Sequence, residues 1–198
     1  NIDSQSSEQK SALKSDKKNV KNSALWTNKN TKIKVTAGKL ISKAQLKAIE
    51  NIYGKNSKQY KEAVAYNKSV KALNSDKSKA KNTTSWLNKN TNIKVKDDKL
   101  ISKKQLAKIQ KRYGKNSQQY KKAVQHNKSV KSLKSDKKKV DKSALWINKN
   151  AQIKVTAGKL ISKDQLSAIK GIFGKDSKQY KEAVKYNSYV TKMNKDQD

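Results

Sequence analysis

The chain repeats itself every 60 residues without one insertion or deletion. Trp26, Trp86 and Trp146 hold that spacing, as do Gly54, Gly114 and Gly174, and Tyr60, Tyr120 and Tyr180. The phrase KVTAGKLISK at 34–43 recurs letter for letter at 154–163, with KVKDDKLISK between them at 94–103. A fixed period of this kind makes a tandem array of one supersecondary unit the expected architecture. Residues 1–25 align with the tail of a unit and are expected to be helical. They are followed by units at 26–85, 86–145 and 146–198, the last truncated.

Only 33% of residues are apolar, so a 60-residue unit has little core of its own and is expected to lean on its neighbours. Low hydrophobicity with high charge also raises a disordered reading, but regular helix signals outweigh it. In LISKAQL, Ser42 caps a helix and Gln45 reaches back to it, with Ile41 and Leu46 as the hydrophobic staple. Ser102/Gln105 and Ser162/Gln165 repeat the device. Leu46, Ile49 and Tyr53 then share a face, and Gly54 supplies a left-handed stop.

A second helix is expected after Asn56, Asn116 and Asp176, with Tyr60, Ala63, Val64, Asn67, Val70 and Leu73 as its apolar stripe. Ser75–Asp76 and Ser135–Asp136 leave open a third helix capped there, and capping accounts for the acidic position recurring at Asp16, Asp76, Asp136 and Asp196. IKV followed by TAG or KDD reads as a short extended segment or small β-hairpin before each first helix. The fold expected is mainly α: three tandem 60-residue repeats, each a helical hairpin of two or three helices.

Charge then governs the functional reading. There are 48 lysines and one arginine, Arg112, against 15 acidic residues, a net charge of +34, and the middle unit is the most basic. Such a field attracts polyanions. A lysine-rich surface serving solubility alone is the bland alternative, though a balanced surface would do that as well. Lys29, Lys34, Lys39, Lys43, Lys55 and Lys61 recur as Lys89, Lys94, Lys99, Lys103, Lys115 and Lys121, and again as Lys149, Lys154, Lys159, Lys163, Lys175 and Lys181. Lys39 and Lys43 flank a helix start, where a cation opposes the macrodipole, and recruitment of an anion to that start would give them a purpose. The near-absence of arginine disfavours base-edge reading of DNA, not contact with its phosphates.

Trp26, Trp86 and Trp146 are candidate stacking platforms for bases or sugars, although closing the core between consecutive units is the preferred role. Tyr60, Tyr120 and Tyr180 read as core, and Tyr66, Tyr186 and Tyr189 as more exposed. Asn67, Asn127 and Asn187 are read as register-fixing, and the NKN residues Asn28 and Asn30 with their repeats as loop formers. His126, a tyrosine in the other units, is the chain's one histidine, and no catalytic constellation recurs. No enzyme activity, cofactor or metal is expected; Asp97–Asp98 is a turn.

No run of 18 apolar residues exists, no signal peptide is visible, and NIDSQSSEQK suits a mature N-terminus. In composition the chain is similar to secreted surface proteins of low-G+C Gram-positive bacteria: rich in Lys, Asn and Ser, without Cys, and modular. The expected partner is an anionic cell-wall polymer, teichoic or lipoteichoic acid. DNA and sulfated glycans are the competing ligands, and adhesion or self-assembly the competing role.

Overall fold

The computed structural model describes residues 6–197. Among them are seven helices and no strand: α1 (Ser7–Asn30), α2 (Lys43–Tyr53), α3 (Lys58–Asn90), α4 (Lys103–Tyr113), α5 (Gln118–Asn150), α6 (Lys163–Phe173) and α7 (Lys178–Gln197). The chain is mainly helical, and no described helix is long and apolar enough to cross a membrane. The expected helix for 1–25 is present from Ser7; residues 1–5 lie outside the described part.

Local chemistry explains the helix boundaries. Ser42 accepts from Gln45 N while the Gln45 side chain accepts from Ser42 N; Ser162 and Gln165 repeat this box, and Ser102 makes the first half of it. Gly54 closes α2, but at φ 97° and ψ 153° it is an extended glycine conformation and not the left-handed helical one. The second helix of each pair is capped by serine, not by Asn56, Asn116 or Asp176. Ser57 Oγ accepts from Tyr60 N and donates to Gly54 O, which ties the cap to the preceding stop; Ser117 and Ser177 do the same.

No cap forms at Ser75–Asp76 or Ser135–Asp136, because α3 and α5 run through both places. The recurring aspartates are therefore mid-helix or, for Asp196, in the last turn, and they meet in pairs. Asp136 faces Asp76, and Asp16 faces Asp196. The Oδ2 atoms of Asp16, Asp136 and Asp196 are shielded from solvent and take no hydrogen bond from amide, hydroxyl or ammonium. The hydrogen bond from Asp76, then burial, then its negative charge, hold the Asp136 carboxyl up at about 6, with Lys139 pulling the other way. Asp16 is raised similarly by Asp196, offset in part by Lys192 at 3.7 Å.

A folded-state value above the unfolded one means that the shared proton stabilises the fold fully below about pH 4. That contribution is lost as pH rises through about 6. The stability of the unaltered chain minus that of Asp76→Asn should fall between pH 4 and 7, by on the order of 1 kcal/mol after solvent screening. Urea titrations of both proteins across that range check it.

The described chain forms two compact units. One runs to Val35, resumes over Ile41–Val64 and takes up again from Leu145; the other is Thr36–Leu40 with Ala65–Ala144. In the second unit, Leu87, Val95, Ile101, Ile109 and Ala123 form the core, with Trp86, Leu106, Tyr113 and Tyr120 packed around it. His126 is fully buried here: Thr83 Oγ1 lies 2.9 Å from Nδ1 and Lys99 O 2.9 Å from Nε2. The carbonyl requires a donor at Nε2, and Thr83 Oγ1, which also donates to Ala80 O, lies within hydrogen-bond reach of Nδ1.

The residues facing His126 have changed with it. Thr83 and Thr84 occupy the positions that are Ser23/Ala24 and Ser143/Ala144 elsewhere, matched to Tyr186 and Tyr66. His126→Tyr should cost about 1–3 kcal/mol by overpacking. Adding Thr84→Ala should recover most of that in a denaturant melt.

In the first unit, α1 packs on α7, α2 on α6 and α6 on α7. Its core joins Val20 and Ala24 of α1 to Ile153, Ile161, Ile169, Tyr186 and Val190. Segments 31–35 and 151–155 pair antiparallel through a single bridge, Lys32 to Gln152, with Ile33 N donating to Ala151 O and Ile153 N to Thr31 O. This replaces the β-hairpin reading: the contact lies between sequence-equivalent segments, not within one.

Asn28 Nδ2 donates to Val155 O and Asn28 Oδ1 accepts from Val155 N; Asn148 grips Val35 in the same way. In the second unit Asn88 makes both bonds to Val95, seven residues on. The NKN asparagines are thus helix-end clamps and not loop formers. Asn30, Asn90 and Asn150 donate to the carbonyls of Trp26, Trp86 and Trp146.

Candidate functional site

All eighteen recurring lysines are solvent-exposed, and none is in an ion pair among the described residues. Lys29, Lys89 and Lys149 sit in the last turns of α1, α3 and α5, where a cation complements the helix dipole, so position alone accounts for them. Lys34, Lys94 and Lys154 point outward between buried or half-buried Ile and Val neighbours.

Lys39 and Lys159 each close a turn, donating from N to Thr36 O and Thr156 O, with Gly38 and Gly158 at φ 95° and 96°. That is a type II arrangement requiring glycine at the third position. Asp98 takes this place in the middle unit without positive φ. Lys43, Lys103 and Lys163 begin α2, α4 and α6 against the dipole. The capping serine and glutamine already occupy part of those starts, which leaves less free N–H for an anion than the sequence implied.

The tyrosines reverse the sequence expectation. Tyr66 and Tyr186 are fully buried, whereas Tyr60, Tyr120 and Tyr180 are half-buried and Val64 is 44% exposed. The inward stripe runs through Ala63, Tyr66, Val70 and Leu73. A hydroxyl can lie on it because Tyr66 reaches Thr36 O and Lys39 O, and Tyr186 reaches Thr156 O and Lys159 O, the backbone of the lysine turn. Burial raises both phenols above the usual tyrosine value. Tyr189 is half-buried and packs on the first unit's core. Asn127 and Asn187 clamp Ile101 and Ile161 at both backbone atoms, the register role expected of them.

In the first unit the pairing of equivalent segments produces a cleft of about 540 Å³. It is lined by Lys29, Lys32 and Lys34, by Asn30, Gln45 and Gln179, and by Ile172 and Phe173. Three ammoniums, three side-chain amides and one aromatic ring in the lining offer an anion both charge and hydrogen bonds.

At the sequence-equivalent place the geometry differs. The Tyr53 hydroxyl donates to Gln152 O and accepts from Gln152 N, and Gln59 donates to Asn150 O. Phe173 stands where Tyr53 does, without the hydroxyl, and Lys32 stands where Gln152 does. No protein-family model matches this chain, nor does any curated protein or solved structure. The site is therefore read from its own chemistry.

Trp26 is half-buried and lines a shallow depression with Lys178, Lys181, Lys185 and Glu182. Trp86 is half-buried with Lys122 Nζ 5.9 Å from its ring centroid, and Trp146 is half-buried too. Of the predicted set, Lys29 and Lys34 meet in the cleft and Lys181 meets Trp26; the others line neither depression. Lys32 and Phe173 were missed by looking for what recurs. The signal for them lay in what does not: Phe173 breaks the tyrosine of units one and two, and Lys32 is Asn92 and Gln152 elsewhere.

Proposed function

We propose that this chain is a non-enzymatic, multivalent polyanion-binding protein that attaches to the bacterial cell envelope from outside, with teichoic or lipoteichoic acid as its ligand. It works as three tandem 60-residue repeats, each a helical hairpin after a short extended segment, presenting similar lysines to a polymer with regularly spaced phosphates. Linking weak sites raises avidity without new contacts.

The observation that carries this reading is the eighteen-lysine set: every member is exposed and unpaired among the described residues. A surface serving solubility alone does not need its cations left without counter-ions at the same register three times.

The test is co-sedimentation with purified Gram-positive walls, intact or stripped of teichoic acid, at physiological salt with excess duplex DNA. Binding lost on stripping and resistant to DNA supports the proposal. Displacement by DNA, or equal binding to stripped walls, rejects it in favour of a nucleic-acid or glycan ligand.

A further inference from the structure

The middle 60-residue repeat carries a cationic face that the other two repeats do not, at a position they use for something else. In the first unit, α2 and α6 pack together: Ala48 and Ala168 are buried, Ile52 and Ile172 are half-buried, and Ile52 joins the core containing Ile169. The corresponding residues of α4 are Lys108 and Arg112, both exposed. The rim positions Ala44 and Asn51 of α2, and Asp164 and Gly171 of α6, become Lys104 and Lys111.

At 3.6 residues per turn these four cations share one face of α4 and span about 12 Å along its axis. Like charges three and four apart destabilise a helix, so folding does not ask for them. Arg112, the chain's one arginine, lies 5.6 Å from the Tyr113 ring and borders a slot of about 160 Å³ with Ile93, Ile109 and Tyr113. The same unit carries Lys122 where Glu62 and Glu182 stand in the others.

We infer that the α4 face of Lys104, Lys108, Lys111 and Arg112 is the chain's principal docking face for a linear phosphodiester polymer. A face that mates helices in one unit is here converted to one that repels a copy of itself and attracts phosphate. Arg112 supplies a fork that can take two oxygens of one phosphate, which lysine cannot, and the three lysines meet the phosphates on either side. The inference rests on the polyanion reading above and names its strongest site.

The probe is purified glycerol-phosphate teichoic acid, titrated against the full chain over a salt series. Replacing all four residues with Gln should weaken binding at 150 mM salt about tenfold to a hundredfold and make the log K against log [salt] slope shallower by roughly 3, taking about 0.9 per lost phosphate contact. An equal loss of charge on α3, with Lys68, Lys71, Lys77 and Lys81 changed to Gln, should cost less than about threefold. Circular dichroism of both variants reports whether each has folded.

If both variants lose equally, the field is diffuse and the α4 site is wrong, while the polyanion reading stands. If the α4 variant binds like the unaltered chain, the site is again wrong. If the unaltered chain fails to bind, the polyanion reading itself falls. A dimer of the unaltered chain that dissociates on the α4 substitution would assign the face to a second copy and overturn the inference.

Discussion

Changing Lys34, Lys39, Lys43, Lys94, Lys99, Lys103, Lys154, Lys159 and Lys163 to Gln should lower affinity for intact cell walls by at least a hundredfold at physiological salt, with the helical signal unchanged. The nine side chains are exposed and make no ion pair among the described residues, so their removal costs no packing and strands no partner. Three of them open helices against the macrodipole, where loss of a cation is worth about 0.3–1 kcal/mol in the helix's favour. Thermal stability should therefore hold or rise while binding collapses, a combination that a merely unfolded variant cannot produce. Full binding by the nine-fold variant would remove these positions from the site and leave the α4 face and the first unit's cleft to account for any affinity.

Tyr186→Ala should be among the most damaging single changes, costing about 3–5 kcal/mol, the range for truncating a fully buried aromatic side chain. Tyr186→Phe separates packing from hydrogen bonding. The ring remains, but Thr156 O and Lys159 O lose their donor and Gly158 N its acceptor, for about 1–3 kcal/mol. Urea denaturation measures both. A Phe variant as stable as the unaltered chain would mean that the lysine turn holds itself without the phenol. Because the phenol ties the turn carrying Lys159 to α7, the Phe variant should also loosen that lysine's backbone, seen as faster amide exchange at Gly158 and Lys159.

Much of the local structure was legible because short-range chemistry dictates it. Ser42 with Gln45, and Ser162 with Gln165, form the boxes their spacing implies, and Asn127 and Asn187 fix register. Where two readings shared one helical period, the pattern could not choose. Tyr60 and Tyr66 both lie near the apolar stripe, and only the backbone carbonyls of the lysine turn, distant in sequence, decide that Tyr66 is the buried one. Asn28 looked like a loop former because its clamp partner, Val155, is 127 residues away. The long-range clamp was invisible for a simple reason: KVTAGKLISK is identical at 34–43 and 154–163, so the sequence offers Asn28 the same bonds at Val35 as at Val155. The Ala48/Lys108/Ala168 and Ile52/Arg112/Ile172 differences were readable, but as signals they make sense only once α2 and α6 are seen to touch.

That pairing also sets an order in time. Asn88 finds Val95 seven residues away, whereas Asn28 and Asn148 must find valines 127 and 113 residues distant. Short-range closure is fast, and long-range contacts wait on the loss of chain entropy that brings their ends together. During synthesis the middle segment can settle as soon as it emerges, while α1 cannot dock until its distant partner α7 has been made. Val35 offers Asn28 the same pair of backbone atoms at the seven-residue spacing that Asn88 and Val95 use, so the clamp this structure holds is the remote one of two equivalent choices.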